Sequence, residues 1–97
     1  MAALLKSRFG EARVVKMPPV MGGEDFGRYG REDKSIKSMI FWVGGVPPAE
    51  IEAAKKEERT LPSLHSPFWA PDASTVISTA TEALTAMALK LMGKEAR

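Results

Sequence analysis

Ser38-Met39-Ile40-Phe41-Trp42-Val43 is the stretch on which the reading of the fold turns. After Ser38 it is apolar without interruption. A strand with one wet face alternates apolar and polar residues, whereas a strand buried on both faces reads as a continuous apolar run. Such a strand belongs in the middle of a sheet with helices on both sides, and Gly44-Gly45 ends it. The expected fold class is therefore α/β, with few strands and a long C-terminal helix.

Working upstream, Glu24-Asp25-Phe26-Gly27-Arg28-Tyr29-Gly30 places two acids where a short helix would begin and a glycine where it would end. Before it, Met17-Pro18-Pro19-Val20-Met21-Gly22-Gly23 is a loop by its prolines and glycines. Arg13-Val14-Val15 is a β-branched patch that suits a short strand. Ala2 to Phe9 forms a helix that Gly10 would close. That helix opens on Met1 without a capping Ser, Thr, Asp or Asn, so it has the look of a cut element.

Downstream, Pro48 suits the first helical position of a polar segment that runs to Thr60. Ile51 is its only apolar anchor, so a solvated helix and a loop both fit. Lys55-Lys56-Glu57-Glu58-Arg59 reads as a solvated, mixed-charge face. Leu61 to Pro71 is irregular, broken by Pro62, Pro67 and Pro71. The last element is an amphipathic helix in which Val76, Ala80, Ala83, Leu84, Met87 and Leu91 recur at helical spacing. Asp72 or Ser74 would cap it and Gly93 would close it. One or two strands do not make a stable sheet, so the chain is expected to be the end of a larger α/β domain.

The composition narrows the chemistry. In 97 residues there are 14 Lys plus Arg against 12 Asp plus Glu, a formal charge of +2. The basic residues are scattered among acids and form no stripe of the kind that tracks a nucleic-acid backbone. There is no Cys, which excludes disulfides, Fe–S clusters and a thiolate nucleophile, and there is a single His, His65. A zinc site takes three or four protein ligands, more than one imidazole can supply. No apolar run spans a bilayer and no signal peptide is evident, so the expected compartment is the cytoplasm and no membrane partner is expected.

Two places could carry chemistry. His65 lies in a loop stiffened by proline, between Leu64 and Ser66-Pro67-Phe68-Trp69. It fits a structural role, and it also fits metal ligation, for which imidazole is the commonest side chain. Glu24 and Asp25 follow Gly22-Gly23. They fit the positive end of a short helix, and they also fit a pocket wall that the glycines let a ligand approach closely. Neither glycine pair has the lysine or the spacing of a phosphate-binding loop.

Together these motifs resemble a known family. Pro19-Val20-Met21-Gly22-Gly23-Glu24-Asp25-Phe26 is similar to the "MGGEDF" segment of the metal-dependent amidohydrolases that include hippurate hydrolase, N-acyl-amino-acid amidohydrolases and plant auxin-conjugate hydrolases. Ile40-Phe41-Trp42-Val43-Gly44 resembles the family's apolar strand ending in glycine. Leu64-His65-Ser66-Pro67-Phe68 resembles its "LHSP-F" motif. Pro71-Asp72, followed by an Ala- and Leu-rich helix, resembles its C-terminal end. The pieces occur in the family's order and extend from about Leu4 to Leu91. Ala73 departs from the family's usual Glu, and Arg31 to Lys37 lacks its common Pro-Gly entry to the strand.

The resemblance implies a zinc-peptidase-like catalytic domain, interrupted in sequence by a lid and dimerisation domain. Residues 1–97 would be its C-terminal segment, with the lid and the N-terminal half absent. It implies a site for two divalent ions of zinc, manganese, nickel or cobalt, in which His65 matches the one C-terminal His ligand. The remaining ligands (a Cys, two His and a Glu) and the Glu that acts as general acid and base belong to the earlier half. The implied reaction splits the amide of an N-acyl amino acid into a carboxylic acid and an amino acid. The metals polarise the carbonyl and acidify a water. No catalytic residue falls in this chain, and Glu24 and Asp25 would line only the pocket wall. The expectation is a hydrolase part that is inactive alone. The alternatives are one half of a split enzyme completed by an N-terminal chain, and a non-catalytic binding module that self-associates.

Overall fold

Helices and turns account for all the regular structure among the described residues of this computed structural model, which are 1–20 and 25–93. The elements are α1 (Ala2–Phe9), a 3-10 turn (Glu11–Arg13), α2 (Gly27–Glu32), α3 (Pro48–Lys56) and α4 (Ala73–Met92). No strand occurs among them. The expected α/β class, a few strands plus a long helix, is therefore corrected to an all-helical one.

The physical reason lies in the 38–43 stretch. A strand is held by hydrogen bonds to a neighbouring strand, and none occurs among the described residues. The stretch stays outside any helix, with Ile40 and Trp42 exposed and Phe41 and Val43 half-buried. Phe41 packs toward the core on one side, while the opposite side is wet. The short strand expected at Arg13-Val14-Val15 is also absent. Arg13 closes the 3-10 turn, and Val14 takes an extended conformation beside the core.

α1 and α4 form where the sequence places them, and the segment after Pro48, which fitted a helix or a loop, is a helix. α2 departs from expectation, starting at Gly27 with no acid in its first turn and running past Gly30, its expected end, to Glu32. Gly10 ends α1 at φ 96°, a conformation that strains any residue with a Cβ, and its N–H donates to the Lys6 carbonyl at 2.9 Å. Pro47 caps α3 and Pro48 occupies its first turn, where the missing N–H costs nothing. Glu50 lies in the first turn and Lys55 and Lys56 in the last, as the helix dipole favours. The end of α3 is a Schellman turn. The Arg59 N–H donates to the Ala54 carbonyl at 3.0 Å and the Glu58 N–H to that of Lys55 at 3.3 Å. Glu58 takes the left-handed conformation (φ 54°) that glycine usually fills. Arg59 then reaches back to the carboxylates of Glu57 and Glu50, and these bonds raise its guanidinium above the ordinary arginine range.

Asp72 caps α4. Its carboxylate accepts the Thr75 hydroxyl at 2.7 Å and, more weakly, the Thr75 N–H at 3.5 Å. The side of α4 that carries Ala83 and Met87 meets Leu5 of α1, and these three residues form the buried core. Met1, Leu4, Phe9, Val14 and Phe41 pack around them. Arg8 of α1 also bridges Glu82 of α4 at 2.7 Å across the open edge of this contact.

That core is small. Besides Leu5, Ala83 and Met87, only Ala54 is buried among the described apolar residues. The accessible surface is 8813 Å², against about 5,500 Å² for a compact chain of this mass. The radius of gyration is 16.5 Å, against about 13 Å for a compact domain of this length. Among the described residues sixteen large apolar side chains stand exposed, Phe68 at 84% and Met92 at 80% among them. An excess of this size means that much apolar surface has no partner within the chain.

Candidate functional site

His65 sits between two consecutive tight turns. The Ser66 N–H donates to the Ser63 carbonyl at 3.0 Å, closing a turn that has Leu64 and His65 at its centre. His65 has φ 70° while Leu64 does not enter the left-handed region. These signs are those of a type II turn, whose third position normally holds glycine or asparagine. The Trp69 N–H donates to the Ser66 carbonyl at 3.1 Å, closing the second turn over Pro67-Phe68. The Ser66 hydroxyl accepts the Phe68 N–H at 3.2 Å and ties that turn's start to its middle.

The sequence explains the local geometry. Pro67 fixes φ at the second position of the second turn, where proline is favoured. Ser66 supplies both the carbonyl and the side-chain oxygen that the second turn needs. His65, placed between them, is exposed, as are its neighbours Leu64 and Phe68. Trp69 turns the other way and is half-buried, and its ring lies close to Gly45. The Pro-rich loop is thus anchored through Trp69 and the Asp72 cap, and it holds the imidazole outward.

Asp25 lies at the entry to α2. Its carbonyl accepts the Arg28 N–H at 3.0 Å, and its carboxylate stands 4.0 Å from the Arg28 guanidinium, both fully in solvent. Its side chain does not cap α2, which has no side-chain cap. Glu24, the other residue assigned to a pocket wall, lies outside the described residues, as do Met21, Gly22 and Gly23.

Among the described residues no three His, Cys, Asp or Glu side chains come together to hold a metal ion. The donor set agrees with that placement, because the chain has one imidazole and no thiol. By itself this chain does not fit a two-metal centre. What it offers is one exposed imidazole, that of His65, set between two tight turns. Two open grooves among the described residues lie elsewhere, one over Arg28, Tyr29 and Arg31 and the other between Arg8 and the Ser78–Leu89 side of α4. Neither includes His65.

Two features of the site were not anticipated. The left-handed backbone at His65 had no signal beyond the neighbouring prolines. Gly45, expected to end the apolar stretch and lacking the spacing of a phosphate loop, is also the point where the backbone meets the site loop. A Cβ there would lie 3.1 Å from both the Pro71 Cβ and the Trp69 ring. No helix among the described residues is long and apolar enough to cross a membrane. No family model, no curated protein and no solved structure matches the chain.

Proposed function

We propose that this chain is the C-terminal part of a metal-dependent amidohydrolase acting on N-acyl amino acids, that His65 is its one metal ligand, and that it is inactive alone. The observation that carries the reading is the Leu64-His65-Ser66-Pro67-Phe68 motif held in paired turns, with His65 exposed at φ 70°. A side chain with a Cβ kept in the left-handed region costs on the order of 1–3 kcal/mol and is found where position matters more than comfort. The order of the motifs along the chain supports the same reading, and so does the apolar surface left without a partner.

In this reading zinc, manganese, nickel or cobalt would be completed by ligands from another segment or another chain. When bound, the metal would activate water and polarise the amide. This chain's own part is to fix one imidazole through the Ser63–Ser66 and Ser66–Trp69 turns. Asp25, exposed and close to Glu24 in sequence, would face the substrate from the pocket wall.

The test is complementation. The 97-residue chain is mixed with the N-terminal half and lid of a hippurate hydrolase, which bear the Cys, His and Glu ligands. Release of glycine from hippurate is then followed with added manganese or zinc. Hydrolysis in the mixture alone, dependent on metal and abolished by His65→Ala, is the expected result. Activity that survives His65→Ala would overturn the assignment of His65. An inactive mixture, in a setting where the hydrolase's own C-terminal segment restores activity, would overturn the amidohydrolase reading and leave the non-catalytic module in its place.

A further inference from the structure

We draw no further inference here: the strongest candidate, the exposed stripe of Ile77, Leu84 and Leu91 along the outer side of α4, is an unpartnered apolar face and nothing in the structure shows what covers it.

Discussion

The main-chain N–H of Asp72 donates to the carbonyl of Gly45 at 2.9 Å. This one bond joins the residue that caps α4 to the end of the apolar 38–43 stretch. The Trp69 ring and Pro71 also lie close to Gly45, so the loop bearing His65 is fixed at its far end by this backbone bond together with the Trp69 and Pro71 side chains.

Gly45→Ala tests that junction. The added Cβ would sit 3.1 Å from the Pro71 Cβ and from the Trp69 ring, tighter than carbon atoms ordinarily pack. Loop and backbone must separate by a few tenths of an ångström, which is expected to cost about 1 kcal/mol. In a Trp42→Phe background the other tryptophan of the pair, Trp69, reports alone. Its emission should shift to the red as water enters. An unchanged spectrum and an unchanged thermal melt would mean that the junction is slack.

Asp72→Ala removes the only side-chain cap on α4. The Thr75 hydroxyl and N–H lose their acceptor, and the expected loss is about 0.5–2 kcal/mol. Asp72→Asn keeps a cap of similar quality and should stay within a few tenths of that of Asp. Far-UV circular dichroism during a thermal melt separates the two. Equal melts for Asp72→Ala and the parent would show that the backbone bond to Gly45, which both retain, holds the helix start by itself.

Much of this was legible in the sequence. Gly10, Pro48 and Asp72 fall where α1, α3 and α4 need a stop, a start and a cap, because those signals are local. The core face of α4 was legible only in part: of the evenly spaced Val76, Ala80, Ala83, Leu84, Met87 and Leu91, Ala83 and Met87 are buried against α1, while Leu84 and Leu91 are exposed because no other element covers that side of the helix. The 38–43 stretch was not, because a continuous apolar run shows only that burial is favourable. It becomes a strand only where another strand supplies hydrogen bonds, and none is present among the described residues. At the site, the prolines around His65 signalled a stiff loop, while the sign of its φ depends on the turn that Ser63 and Ser66 close. Of the two residues expected at a pocket wall, Asp25 is exposed beside Arg28, and Glu24 lies outside the described residues.

Glu58→Gly should raise stability. Glu58 holds the left-handed position of the Schellman turn at φ 54°, where a Cβ costs roughly 1–2 kcal/mol. Glycine relieves that cost but also frees the unfolded chain, which returns part of the gain. A net increase of about 0.5–1 kcal/mol is expected. Slower amide exchange at Arg59 and Glu57 in the variant would localise the effect to the end of α3. A loss of stability would mean that the Glu58 side chain makes up its backbone strain elsewhere.

His65 allows the backbone and the imidazole to be separated. His65→Gly suits φ 70° better than histidine does, so the turn between Ser63 and Ser66 should tighten and the melt should rise or stay level. His65→Ala keeps the strain and should melt no higher than the parent. Both variants lose the only imidazole in the chain, so in the complementation assay both should be inactive. A residue kept for structure alone would behave otherwise: glycine at 65 would be at least as good as histidine in stability and in restored hydrolysis. The measurement is therefore the pair of melts set beside the pair of rates. Stability that is retained in His65→Gly while hydrolysis disappears assigns the imidazole to the metal. Hydrolysis that persists in His65→Gly would reduce His65 to the middle of a turn, and its left-handed backbone would then have no functional counterpart.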